Sequence, residues 1–130
     1  MKRAIGMIII ALLLVGFGIW EEIYVDKTIK TLSHNSIHLE KLLDENEENI
    51  NCPDVVKEFK GLDKFWNKAE NNLCYIVNFE KIKPINESIF KLEGAIKEND
   101  FSVAIENVKT LQNYSNNLRY IMGASVNNIL

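Results

Sequence analysis

The sequence predicts an all-α protein: an N-terminal transmembrane helix followed by an antiparallel bundle of three to four helices. Three observations predict it. Ala4 to Trp20 is an apolar run without a charge, apolar residues after it recur at alternating steps of four and three, and Pro, Asn and Asp interrupt that recurrence at three places. Steps of three and four line one stripe of a helix, whereas a half-buried strand needs alternation of period two.

The first element is the run AIGMIIIALLLVGFGIW. As a helix it reaches about 26 Å, within the range that crosses a hydrocarbon core. Lys2 and Arg3 precede it and Glu21 and Glu22 follow it. Basic residues stay on the cytoplasmic side, so the N-terminus is expected in the cytoplasm and the remainder outside. Trp20 and Tyr24 suit the aromatic belt at the outer interface. Residues 1–22 are therefore read as an uncleaved signal anchor and 23–130 as an extracytoplasmic bundle, making a single-pass protein of the cell membrane. The rival is a cleaved signal peptide, which wants small residues at −3 and −1. Gly16 and Gly18 are the only such pair near the end of the run; cleavage there would release a secreted structural protein. A pilin-like subunit would need an acid inside the start of the run, and the acids only follow it.

The first amphipathic stretch carries Val25, Ile29, Leu32, Leu39 and Leu43, with Ser36 filling one core position. No Gly/Ser/Pro-rich linker separates it from the apolar run, so a stiff stalk is expected. Asn49, Asn51 and Pro53 close it, and Pro53 with Asp54 opens a second helix, Pro being suited to a first turn. That helix carries Val55, Phe59, Leu62, Trp66, Ala69, Leu73 and Ile76. Pro84 is expected to divide it from a third, which carries Ile85, Ile89, Leu92 and Ile96. Asn99 and Asp100 then interrupt, and a fourth carries Phe101, Ala104, Ile105, Val108, Leu111, Leu118 and Ile121. Short connections make successive helices antiparallel neighbours. The last two resemble one tetratricopeptide hairpin, but the pattern has no repeat elsewhere. Val126, Ile129 and Leu130 either tuck into the bundle base or stay mobile.

From Glu21 onward 13 basic and 18 acidic residues leave a net charge of −5. Nucleic acid and anionic lipid both need a basic footprint, so neither is an expected partner. Abundant Lys, Ile, Asn and Glu read as an AT-rich bacterial genome.

Few residues offer chemistry. Cys52 and Cys74 invite a disulfide in an extracytoplasmic setting. A helix opening at residue 54 separates them by roughly 30 Å, against a Cα limit of about 7 Å. Cys74 is expected to be a small buried apolar residue and Cys52 a loop thiol. His34 and His38 share a helix face, half of a zinc site, but Asn35 stands where zinc proteases have Glu and no third ligand can be named. Asp44, Glu45, Glu47 and Glu48 lack the alternating oxygen ligands and Gly of a calcium loop and are read as a solvated connector. Lys57, Lys60, Lys64 and Lys68 form a basic stripe that the interleaved Glu58, Asp63 and Glu70 are expected to neutralise. Asn86-Glu87-Ser88 and Asn113-Tyr114-Ser115 match the N-glycosylation pattern, without meaning in a bacterial protein. No Gly-rich phosphate loop, G-x-S-x-G or carboxylate–His constellation is present. No catalytic, cofactor-binding or metal residue is therefore assigned, and the chain is not expected to be an enzyme.

The start MKRAIGMIIIALLLVGFGIW, the stretch KENDFSVAIENVKTL and the ending VNNIL make nearly the whole chain resemble a family of small single-span membrane proteins from Gram-positive spore-formers, domain of unknown function 4363. The resemblance implies one span and a helical remainder. It also implies a partner, since genes of such proteins often stand beside those of multi-span membrane proteins. It carries over no functional residue.

The expected function is a non-enzymatic, membrane-anchored helical interaction module, accessory to a larger membrane protein, with homo-oligomerisation open. Lys2, Arg3, Trp20 and Tyr24 would anchor it. Phe90, Tyr114 and Tyr120 lie off or at the margin of the seams and would furnish a contact patch, or else widen each helix's buried face. The alternative is an extracytoplasmic ligand-sensing domain, which predicts a polar pocket for which Ser36 and Asn72 are the hints.

Overall fold

The first helix, α1 (Lys2–Glu45), takes in both the apolar run and the first amphipathic stretch without a break over 44 residues. The structure, a computed structural model, describes residues 1–75 and 78–129, with side chains as far as Leu118. Among the described residues the chain forms four α-helices and no strand. The stalk expectation holds: α1 extends about 66 Å, with its apolar segment unburied and its C-terminal half forming a wall of the bundle. The buried side of that wall is Val25, Thr28, Ile29, Leu32, Ser36, Leu39 and Leu43. Ser36 is the polar member of the seam, and its hydroxyl donates to the Ser33 carbonyl at 2.8 Å, so no unmet donor is buried.

A short connection follows, in which Ile50 is fully buried. Cys52 then adopts an extended N-cap conformation, Pro53 takes the first helical position and Asp54 supplies a negative charge to the first turn of α2 (Pro53–Leu73). Each choice suits a helix start, where a missing N–H costs nothing and the dipole favours an anion. Val55, Phe59, Leu62, Trp66, Ala69 and Leu73 are buried, as their spacing requires. Ile76, expected to continue this seam, lies outside the described residues, as do the side chains of Ile121, Val126 and Ile129, and Leu130.

Pro84 does not divide two helices. α3 (Phe79–Lys97) begins five residues earlier and contains it. The start is set by Asn78, whose side chain accepts from the Glu80 backbone N–H at 3.1 Å. Burial of Ile82 and Ile85 on either side of the proline carries the helix through it. One backbone hydrogen bond to Glu80 is given up.

α3 ends in a Schellman turn. The Asp100 N–H reaches the Ala95 carbonyl at 2.8 Å and the Asn99 N–H reaches Ile96 at 3.2 Å. Asn99 sits at φ 56°, the left-handed position this motif needs. Asp100 then caps α4 (Phe101–Ile129) by accepting from the Val103 N–H at 3.2 Å.

α1 lies against α2 and α4, and α3 lies against α4 and, over a shorter length, α2. The helices thus go round in chain order, each antiparallel to the last. All four feed one apolar core, with Trp66 (1 % exposed) its largest fully buried side chain. Each fully buried leucine contributes roughly 1.5–3 kcal/mol to this core. In the looser α2/α3 seam, Trp66 Nε1 donates to Asn86 Oδ1, and Asn86 Nδ2 donates to Glu70 Oε1 at 3.0 Å.

Candidate functional site

The run from Ala4 to Trp20 lies in α1, a helix long and apolar enough to cross a membrane by length and composition, and its apolar part is not buried in the bundle. Lys2 and Arg3 open the helix, both exposed. At its far end Phe17, Trp20 and Tyr24 fall on one face at steps of three and four and stack in sequence. Ring centroids lie 5.9 Å apart for Phe17–Trp20 and 5.5 Å for Trp20–Tyr24. The structure therefore joins Trp20 and Tyr24, the two rings expected at the outer interface, into a ladder and adds Phe17 to it.

The ladder ends on the bundle. The Tyr24 hydroxyl accepts from Asn72 Nδ2 at 3.0 Å, which holds the last turn of α2 beside α1 at this height. Asn72 is exposed and so belongs to no interior pocket, and Ser36 bonds within its own helix. The two residues offered as hints of a polar cavity lie apart, each with its own partner. Side-chain amides and hydroxyls on a helix reach a neighbouring carbonyl or helix more readily than a shared void.

Of the three residues expected to furnish a contact patch or to widen a buried face, two are described. Phe90 is 77 % exposed on α3 and Tyr114 is 40 % exposed on α4, so neither widens a buried face. The buried stripe of α3 instead widens through Ser88 and Ala95, and that of α4 through Asn107 and Ser115. The Tyr120 side chain lies outside the described residues.

Cys74 is exposed, contrary to expectation, and Cys52 is half-buried against the core; both are free thiols. The reason is rotational. The apolar seam of α2 ends at Leu73, and the next residue is turned about 100° away from it.

His34 and His38 are both exposed on α1. His38 Nδ1 lies 2.9 Å from Glu58 Oε1 of α2, an ion pair when the imidazole is protonated. No group of three or more His, Cys, Asp or Glu able to hold a metal is found among the described residues. The acidic run Asp44 to Glu48 lines a shallow, polar depression with Asn46, Asn49 and Cys52 at the end of the bundle opposite the apolar run.

The lysine stripe departs from expectation. Lys57, Lys60, Lys64 and Lys68 are exposed on the outer side of α2, but the acids between them turn into the helix seams. Glu58 pairs with His38, and Glu70 accepts from Asn86. Asp63 comes within electrostatic reach of Glu93 on α3, and burial first, then the Glu93 charge, raises its pKa above the ordinary 3.8. Residues three and four apart on a helix need not share a partner when the acids sit nearer the seam than the lysines do.

Sequence reasoning marked Asn99 as a break but did not find its tertiary role. Its Oδ1 accepts from the Ile50 N–H at 2.8 Å and its Nδ2 donates to the Glu48 carbonyl at 3.3 Å, tying the α1–α2 connection to the α3–α4 turn. Its place between two helical patterns marks a break, and nothing in the sequence names the distant loop it grips.

Comparison with curated proteins and with solved structures finds no match. The family described as Domain of unknown function (DUF4363) matches residues 19–129, from the end of the apolar run through α4.

Proposed function

The chain belongs to the DUF4363 family, a domain of unknown function, and from that premise we propose that it is a non-enzymatic, membrane-anchored helical interaction module, accessory to a larger membrane protein. One observation carries this reading. A single unbroken α1 supplies both an unburied apolar segment and a wall of the bundle core. Among the described residues nothing covers the apolar segment, so lipid or another span is the environment that suits it. The charges at its two ends favour a cytoplasmic N-terminus and a bundle outside.

Exposed Phe90 and Tyr114 support a protein-facing role, since large rings left in water on a helix surface are candidate anchors for a partner. The ligand-sensing alternative draws less support, because Ser36 and Asn72 are each bonded locally.

The test is a pull-down of the tagged chain extracted in mild detergent, with crosslinking and mass spectrometry. A stoichiometric multi-span protein crosslinked to residues of the bundle supports the proposal. Recovery of the chain alone, or only with its own copies, counts against the accessory role.

A further inference from the structure

The end of the bundle beside the apolar run exposes two large rings close together in the chain. Tyr75, just past α2, is 91 % exposed, and Phe79, opening α3, is 50 % exposed. Trp20 and Ile23 on α1 are also exposed at this end. Because α2 runs antiparallel to α1, it descends toward the apolar run, and the Asn72–Tyr24 hydrogen bond fixes where it stops. Tyr75 follows three residues later, and its N–H turns back onto the Asn72 carbonyl at 3.3 Å. α3 rises again from Phe79. The two rings therefore stand at the end of the bundle that faces the apolar run, where α2 stops and α3 starts.

Height decides what these rings meet. Tyr24 lies four residues, about 6 Å along the axis, beyond Trp20, and the headgroup layer on one side of a bilayer is roughly 5–8 Å deep. With Trp20 at the edge of the hydrocarbon, the base of the bundle falls inside that layer. Tyrosine and tryptophan favour this zone because one end of each ring is apolar and the other polar. Single exposed apolar residues are ordinary on protein surfaces, but here they are continuous with the span at one height. Glu21, Glu22 and Glu80 at the same end suit a neutral surface rather than an anionic one.

We infer that Tyr75 and Phe79, with the α1 aromatic ladder, form a second membrane contact that seats the bundle in the headgroup layer of a neutral phospholipid bilayer. This rests on the anchor reading of α1 given above. Two contacts hold the bundle at a set height and tilt, which a span alone does not do.

Depth-dependent quenching on the full chain, reconstituted in phosphatidylcholine vesicles, tests it. A fluorophore is placed on Cys74 in the Cys52→Ser variant, on Cys52 in the Cys74→Ser variant, and at position 10 of an Ile10→Cys variant lacking both native thiols. Headgroup nitroxide lipid is expected to quench the Cys74 probe roughly twofold or more and leave Cys52 unaffected, since α2 separates the two by about 30 Å. Acyl-chain nitroxide is expected to quench the position 10 probe. Tyr75→Ser with Phe79→Ser should lower quenching at Cys74 without changing it at position 10; unchanged quenching at Cys74 would remove the two rings from the contact. Quenching at position 10 with none at Cys74 overturns the second contact and leaves the anchor standing. No quenching at position 10 overturns both. Ready Cys74–Cys74 oxidation without quenching assigns this end to a second copy of the chain and also overturns the inference.

Discussion

Asn99 combines two requirements that few side chains meet together: a left-handed backbone at φ 56° and an amide that satisfies the N–H of buried Ile50. Replacing it separates the two. Asn99→Gly keeps the backbone at ease and removes the side-chain bonds, with an expected loss of about 1–2 kcal/mol. Asn99→Ala removes the bonds and adds left-handed strain, for a loss of roughly 2–4 kcal/mol. Urea unfolding of the full chain in mild detergent, followed by circular dichroism, measures both; equal losses would show that strain is not stored there. Asp63 makes the opposite case. Its pKa is raised by burial and then by Glu93, so its charged form is disfavoured in the folded state. Above the folded pKa the charge costs stability. As pH falls through the folded pKa toward the unfolded 3.8, the native state takes up the proton first and stability rises. Asp63→Asn is therefore expected to stabilise the protein at neutral pH, by less than about 1 kcal/mol because the site is only half-buried. The gain should vanish in acid. A stability difference constant from neutral pH to pH 4 would contradict this origin.

At the scale of the element, α3 shows local preference yielding to packing. Pro84 reads as a boundary, since its ring and missing N–H oppose a helix interior. The Asn78 cap and the burial of Ile82 and Ile85 together outweigh it. Its removal should then help: Pro84→Ala restores a donor to the Glu80 carbonyl and removes the ring clash. After the entropy that Pro takes from the unfolded chain is subtracted, a net gain of about 1–2 kcal/mol is expected. Thermal unfolding compared with the native chain would read this gain, and a loss would mean that the proline ring is packed usefully in the α3 wall. The continuity of α1 is the converse case. No breaker stands between Trp20 and Val25, so nothing in the sequence opposes the single helix that forms.

For the whole molecule, α1 links the apolar run to bundle stability, because Val25, Ile29, Leu32, Leu39 and Leu43 belong to the same helix as that run. Removal of that run by a signal peptidase would cut within a continuous helix. The chain recovered from native membranes is accordingly expected at its full mass of 15.0 kDa and resistant to alkaline extraction. An intact mass short of the first 18 or so residues, in the medium, would refute the anchor and favour the secreted alternative.

The helical class, the described seam positions from Val25 to Leu73 and from Ile85 to Leu118, and the α1–α2 boundary were legible in the sequence because each is a local matter: a period of apolar residues, or a proline at a first turn. Val55 and Leu62 are buried for the same reason that they recur. What the tertiary structure decided depends on residues distant in the chain. Pro84 stayed inside a helix because α3 had a core to join. The acids beside Lys57 to Lys68 turned away because α1 and α3 offered His38 and Asn86. Cys74 faced outward because the seam ended one residue before it. Tyr75 and Phe79 mark a surface only because Asn72 meets Tyr24 and brings the base of the bundle level with the end of the apolar run. Periodicity in a sequence reports which face of a helix is buried, but the height and neighbours of that helix are set by contacts between segments far apart in the chain.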